Sequence, residues 1–278
     1  MSCPIACYSQ ITVQLCSDAR IVAPPGHFKA AQAARLGLDT LGRPDLGAII
    51  SLDSPLPPGR GLASSTADIV GVLVGLATAL NRSLPAAALA CLACQIEPSD
   101  STMFNGLALL AYRGSSRHVE LGAAPTLPLL MLDPGTAVDT VSYNARLDLA
   151  AVQNLAVTTQ TAVELLTQGL RRHEAEAIGA ATTLSAISYQ KVSFSPLIEQ
   201  AQSWAKTTGA LGLVRAHSGS VAGLLYPPQT DLSDLFRWLA HRFTGVITET
   251  RLVNGGYRVA GIEVQSLVIA PTLQASHI

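Results

Sequence analysis

Pro57-Pro58-Gly59-Arg60-Gly61-Leu62-Ala63-Ser64-Ser65-Thr66 runs straight into Ala67-Asp68-Ile69-Val70-Gly71-Val72-Leu73-Val74-Gly75-Leu76-Ala77-Thr78-Ala79-Leu80. A loop with prolines and glycines thus opens a strongly apolar helix, expected over residues 66–80. A helix N-terminus offers backbone N–H groups without intrahelical partners and the positive end of the macrodipole. Phosphate and other anions settle at such ends. Gly59 and Gly61 allow the backbone to bend and approach a ligand closely. The hydroxyls of Ser64, Ser65 and Thr66 can touch phosphate oxygens or a phosphate-bound metal. The competing reading is a plain turn and helix cap. Neither Gly-Lys-Ser/Thr nor Gly-x-Gly-x-x-Gly occurs in the chain.

Composition narrows the classes. The chain has 278 residues, 49% apolar and 13% charged, with a formal net charge of -1. That supports a large core and one or two domains. It gives no basic face for nucleic acid. Residues 69–80 are too short, and too broken by glycine, to span a membrane. The first residues do not read as a secretory leader. Cys3, Cys7, Cys16, Cys91 and Cys94 are odd in number and lack a framework spacing, which suits a reducing compartment, the cytoplasm. Cys91-x-x-Cys94 lies in an alanine-rich helical run without a second ligand pair, so both are expected as small buried hydrophobes.

Outward from the loop, periodicity and breakers predict strands over 9–15, 47–52, 107–112, 129–132, 212–215, 221–226 and 245–253. Helices are expected over 28–36, 86–96, 147–169, 172–189, 196–207 and 231–243. A turn is expected at 113–116 and a domain boundary near 125–128. Mixed elements of this kind indicate an α+β architecture in two layers.

Two further segments carry chemistry. Glu97-Pro98-Ser99-Asp100-Ser101-Thr102 places two carboxylates and three hydroxyls at a helix C-terminus, where acids oppose the dipole. A Mg²⁺ ion would offset that cost with oxygen ligands, and the second acid could take a proton from a hydroxyl. A solvated terminus with Asx-type turns is the competing reading. Ala216-His217-Ser218-Gly219-Ser220-Val221-Ala222-Gly223 can form an anion nest between two apolar segments. His217 reads as a pocket-lining or locally bonded residue ahead of a base.

Pro57-x-x-x-Gly61-Leu62-Ala63-Ser64-Ser65 resembles the phosphate motif of the GHMP kinases, with Thr66 at the usual alanine. The resemblance narrows to the L-threonine kinases of cobalamin biosynthesis. Residues 61–69, 96–102 and 216–221 carry it, with Ser2-Cys3-Pro4, Tyr8-Ser9, Ala181-Thr182-Thr183-Leu184-Ser185-Ala186 and Val253-Asn254-Gly255-Gly256. The chain departs from them in starting at Ser-Cys-Pro, without the Ser-Cys-Gly-Glu-Leu-type first motif that precedes it there. The resemblance implies the two-domain α+β GHMP fold. An ATP-binding domain over 1–125 would resemble ribosomal protein S5 domain 2, and a ferredoxin-like domain would cover 126–278. It implies ATP and Mg²⁺ as cofactors. Pro58, Gly59, Arg60, Gly61, Leu62, Ala63, Ser64, Ser65 and Thr66 would meet the phosphates. Ser65 and Glu97 would hold the metal, and Asp100 would act on the acceptor hydroxyl. His217, Ser218, Gly219 and Ser220 would form the third-motif loop. Lys29 and Arg60 are further cations without an assigned place. The implied reaction makes O-phospho-L-threonine from L-threonine. Homoserine or another small alcohol, or nucleotide binding without catalysis, are the alternatives. Expected partners are ATP and a small acceptor, neither nucleic acid nor membrane, with a homodimer left open.

Overall fold

The computed structural model describes residues 2–111 and 117–261. The fold is α+β. In its first half, β1 (Gln10–Cys16), β2 (Ile21–Val22) and β3 (Gly47–Asp53) form a sheet in the order β1-β3-β2. β1 runs antiparallel to β3, from Gln10 opposite Asp53 to Cys16 opposite Gly47. Ile11, Val13 and Leu15 alternate with exposed Gln10, Thr12 and Gln14, so one face of β1 turns inward. α1 (Phe28–Thr40) and α2 (Ser64–Ala79) cover that face, and α3 (Ala86–Ile96) packs against both helices.

α2 is the centre of this layer. Ile69, Val72, Leu73 and Leu76 are fully buried. Each contributes about 1.5–3 kcal/mol through removal from water. The helix lies so close to β1 that a Cβ on Gly71 would come within 2.8 Å of Ile11, and one on Gly75 within 2.7 Å of Val13.

β4 (Leu107–Ala111) and β5 (Arg117–Gly122) pair antiparallel and lead into the second half. The turn expected at 113–116 lies outside the described residues. There β6 (Pro128–Asp133), β7 (Gly212–Arg215), β8 (Ala222–Leu225) and β9 (Val246–Arg251) form an antiparallel sheet in the order β7-β8-β6-β9. Its central strands are buried on both faces. Leu130, Leu132 and Leu224 join one cluster with Leu197, Ile198 and Leu239; Leu129 and Leu225 join another with Leu166, Leu170 and Ile178.

The helices of this half differ from the sequence reading. α4 (Thr140–Ala145) was not expected. The helix expected over 147–169 is two, α5 (Leu149–Gln153) and α6 (Ala156–Arg172). Asp148 starts α5 by accepting the N–H groups of Ala150 and Ala151 at 2.9 and 3.1 Å. α7 (Ala175–Ser188) begins three residues later than expected. His173 ends α6 in a left-handed conformation with φ 57°, so Arg172 belongs to the preceding helix. A single 3₁₀ turn, Tyr189–Lys191, follows α7. α8 (Pro196–Thr208) starts with Pro196 in its first turn, as expected. α9 (Ser233–Ala240) is shorter than expected at both ends. All five cysteines are free thiols. Cys91 is exposed and Cys94 half-buried, which corrects the expectation that both are buried: they sit on the outer flank of α3, whose inner flank is Leu89, Ala90, Leu92 and Ala93. No helix among the described residues is long and apolar enough to cross a membrane.

Candidate active site

The loop ahead of α2 is shaped by its own backbone. Gly59, Gly61 and Ala63 all have positive φ, at 72°, 84° and 55°. The left-handed turn at Ala63 brings the chain into helix at Ser64, two residues earlier than expected. The first intrahelical bond runs from the N–H of Ala67 to the carbonyl of Ala63 at 2.9 Å. The N–H groups of Ser64, Ser65 and Thr66 therefore precede any carbonyl of α2 that could accept them. No side chain caps this end. The helix presents donors and a positive dipole end to the cleft.

The loop is docked onto the second half of the chain. The N–H of Val138 donates to Gly59 O at 2.7 Å, and that of Ser220 to Arg60 O at 3.1 Å. The Ser220 hydroxyl donates to Thr136 O at 2.6 Å. A Cβ on Gly61 would lie 2.3 Å from Ala216 Cβ, and one on Gly219 would lie 2.2 Å from Arg60 O. The third-motif loop and the first loop thus meet backbone to backbone. Arg60 contributes only its backbone here. Its guanidinium turns to Asp133, with Nε 3.6 Å from Oδ2 and the two side chains 19% and 11% exposed.

The acidic turn after α3 is tied to the same helix end. The N–H of Asp100 donates to Thr66 Oγ1 at 3.2 Å. The Thr66 hydroxyl is thereby engaged by the turn, and Thr66 is buried. Glu97 forms an ion pair with Lys29 at the start of α1. Asp100 accepts the Ser2 hydroxyl at 3.0 Å. It faces the open cleft while protein crowds its remaining sides. That burial pushes its carboxyl pKa up, with neighbouring Glu97 adding to the effect and the Ser2 bond opposing it. Segments from both ends of the chain support this turn: the N–H of Ser101 donates to Ser2 Oγ at 3.0 Å, and that of Gly256 to Thr102 O at 2.8 Å.

These walls enclose one continuous cleft of about 2360 Å³ among the described residues. That exceeds the ~1,000 Å³ upper range of ordinary small-ligand pockets and leaves room for two ligands side by side. Gly59, Gly61, Ser65, Glu97, Asp100 and His217 all line it. The oxygen donors of Ser65, Glu97 and Asp100 on this wall are of the kind Mg²⁺ prefers. The described residues hold no group of three or more His, Cys, Asp or Glu that could bind a metal unaided, so phosphate oxygens would complete the shell.

Several cleft residues escaped sequence reasoning. Asp68 is buried on α2, accepts the Ser9 hydroxyl at 2.7 Å and lies 3.5 Å from His27 Nδ1. An acid inside an apolar helix was the available signal. Tyr143 on α4 and Tyr189 bring their hydroxyls to 3.0 Å. His217 stacks on Tyr189, ring centroids 4.2 Å apart. His217 opens onto the cleft, but the protein crowding its other sides, with nearby Arg215, pushes its pKa down to about 4, so the ring is neutral at pH 7. No local pattern marked the tyrosines.

Residues 28–109 match the family described as GHMP kinases N terminal domain. The L-threonine kinase of Citrobacter freundii is 31% identical over 190 residues, 68% of this chain and 66% of that protein. The L-threonine kinase of Salmonella typhimurium is 32% identical over 176 residues, 63% of this chain and 59% of that protein. The matches thus span no more than about two thirds of these relatives' lengths. Among solved structures, homoserine kinase from Cytophaga hutchinsonii superposes with TM-score 0.69 at 18% identity, covering 89% of this chain and 87% of that one. Phosphomevalonate kinase from Streptococcus pneumoniae, in complex with phosphomevalonate and AMPPNP, superposes with TM-score 0.68 at 14% identity, covering 89% and 91%.

Proposed function

The chain belongs to the GHMP kinases, and from that premise we propose that it transfers the γ-phosphoryl group of ATP to the side-chain hydroxyl of L-threonine. The observation that carries this reading is the bond from Asp100 N–H to Thr66 Oγ1, which sets an acidic turn against a helix end suited to phosphate. In this reading residues 1–125 bind ATP and residues 126–278 close the cleft from the other side. The backbone of residues 59–65 cradles the triphosphate, with the hydroxyls of Ser64 and Ser65 beside it. Third-motif residues 217–220 brace that cradle. Ser65 and Glu97 would hold Mg²⁺, which neutralises charge on the transferring phosphoryl group. Lys29 keeps the Glu97 carboxylate against the cleft wall and adds positive charge there. Asp100 orients or deprotonates the acceptor hydroxyl, and its raised pKa makes it a stronger base than an ordinary aspartate. Phosphoryl transfer needs chiefly positioning and charge neutralisation, which these residues can supply. The product, O-phospho-L-threonine, would enter cobalamin biosynthesis in the cytoplasm.

A coupled ADP-release assay on the purified chain, run against L-threonine, homoserine and other small alcohols, tests the proposal. L-Threonine should give the highest kcat/KM. A higher value for homoserine would reassign the acceptor, and Mg·ATP binding without turnover of any alcohol would leave a nucleotide-binding protein.

A further inference from the structure

Arg215 ends β7 and lines the cleft. Its guanidinium is held firmly. Nη1 donates to Gln190 Oε1 at 2.9 Å, Nη2 donates to Ser193 O at 3.1 Å, and the guanidinium carbon lies 5.1 Å from the centroid of the Tyr189 ring. Gln190 is itself fixed, accepting the Ser195 N–H and donating to Ser195 O, both at 2.9 Å. Every one of these partners is neutral. Among the described residues no carboxylate forms an ion pair with Arg215, and its Nε–H is buried with no acceptor. Two other cations near the loop and the acidic turn do have a counter-charge: Lys29 pairs with Glu97, and Arg60 with Asp133, although Arg60 Nε and Nη1 also lack hydrogen-bond acceptors.

A partly buried charge without a counter-charge is costly, and a half-satisfied guanidinium calls for an explanation. Burial pulls the Arg215 pKa down from its usual value, although an arginine stays charged at any working pH. His217, neutral beside it, adds no second charge. The planar fork of a guanidinium matches a carboxylate. We infer that Arg215 receives the α-carboxylate of the amino-acid acceptor, in a subsite walled by Tyr143, Tyr189 and His217. The inference rests on the amino-acid kinase reading and names the contact by which that site tells an amino acid from a simple alcohol. The polyphosphate tail of the nucleotide is the other anion within the cleft, and the residue 59–66 backbone already offers it donors.

The test compares wild type with Arg215→Gln and Arg215→Lys, each checked for a cooperative melt. Two acceptors are used: L-threonine and the same amino alcohol lacking its carboxyl group. Arg215→Gln should raise the KM for L-threonine roughly 100-fold, leave the KM for ATP within about twofold, and leave the carboxyl-free acceptor unchanged. Arg215→Lys, which keeps the charge but loses the fork, should raise it about tenfold, and carries the test if the Gln variant does not fold. An unchanged L-threonine KM in a folded variant, or a rise in the ATP KM in its place, overturns the assignment while the kinase reading stands. Wild-type turnover of carboxyl-free alcohols alone overturns the amino-acid reading and this subsite with it.

Discussion

The loop ahead of α2 and the Arg215 cluster face the same cleft but are made in different ways. The loop is one contiguous stretch, residues 57–66, and works through its backbone: three positive φ values and a run of N–H groups at the start of α2. The cluster is assembled from side chains on α4, the turn after α7, and the end of β7. Gln190 and Arg215 come together where α7 and the turn after it pack on β7. A backbone site tolerates change in most of its side chains but not in its glycines. A side-chain site can be retuned one residue at a time without disturbing the fold.

The largest effect should come from the acids placed beside the loop. Asp100→Asn should lower kcat by ~10²–10⁴-fold with little change in the KM for ATP. Its wild-type acid limb should sit above pH 3.8, because burial favours the protonated carboxyl until the pH rises past the raised pKa. Glu97→Gln should cut kcat/KM by ~10²–10³-fold and raise the Mg²⁺ concentration needed for half-maximal rate. Full rates in both variants would show that chemistry does not occur at this turn.

An intermediate effect is expected where backbone meets backbone. Gly219→Val places a Cβ 2.2 Å from Arg60 O and must push the two loops apart. A displacement of about 1 Å costs on the order of 10²-fold, read as kcat/KM for ATP. If that variant binds and turns over ATP normally, the loop does not depend on its brace, and the contrast between the two walls loses its basis.

The smallest effect belongs to the cluster's histidine. The His217 pKa is depressed to about 4 in the folded chain, below its ordinary 6.5. Its contribution to stability is therefore complete above pH 6.5 and is lost as pH falls toward 4. The melting temperature of wild type should drop over that window more than that of His217→Phe, which keeps a ring against Tyr189. Parallel pH profiles would mean that the imidazole is as well solvated as in the unfolded chain.

These two walls also mark how far the sequence could be read. The loop, α2 and the acidic turn were legible because short-range order specifies them: glycines in a bend, then an apolar run, then a proline-bounded acid pair. Their mutual contact was not, since the Asp100–Thr66 bond joins residues 34 apart in sequence. The Lys29–Glu97 pair spans 68 and was equally invisible. β2 is two residues long and gives no periodicity, while β5, Arg-His-Val-Glu-Leu-Gly, is too polar to read as a strand without its partner β4. The interruption between α5 and α6 contains no glycine or proline. Nothing near Arg215 announces that Gln190 and Ser193 will hold it.

The Arg60–Asp133 pair and the Gly59–Val138 bond have a practical outcome for anyone screening variants of this protein. They fasten the loop before α2 to β6 and to the stretch after it, so loop and later sheet are mechanically one piece. Under the proposed kinase function, damage far from that loop, such as a cavity opened beneath Leu132, would surface in an assay as poor use of ATP. A lesion scored by kinetics alone would then be charted on the wrong side of the molecule.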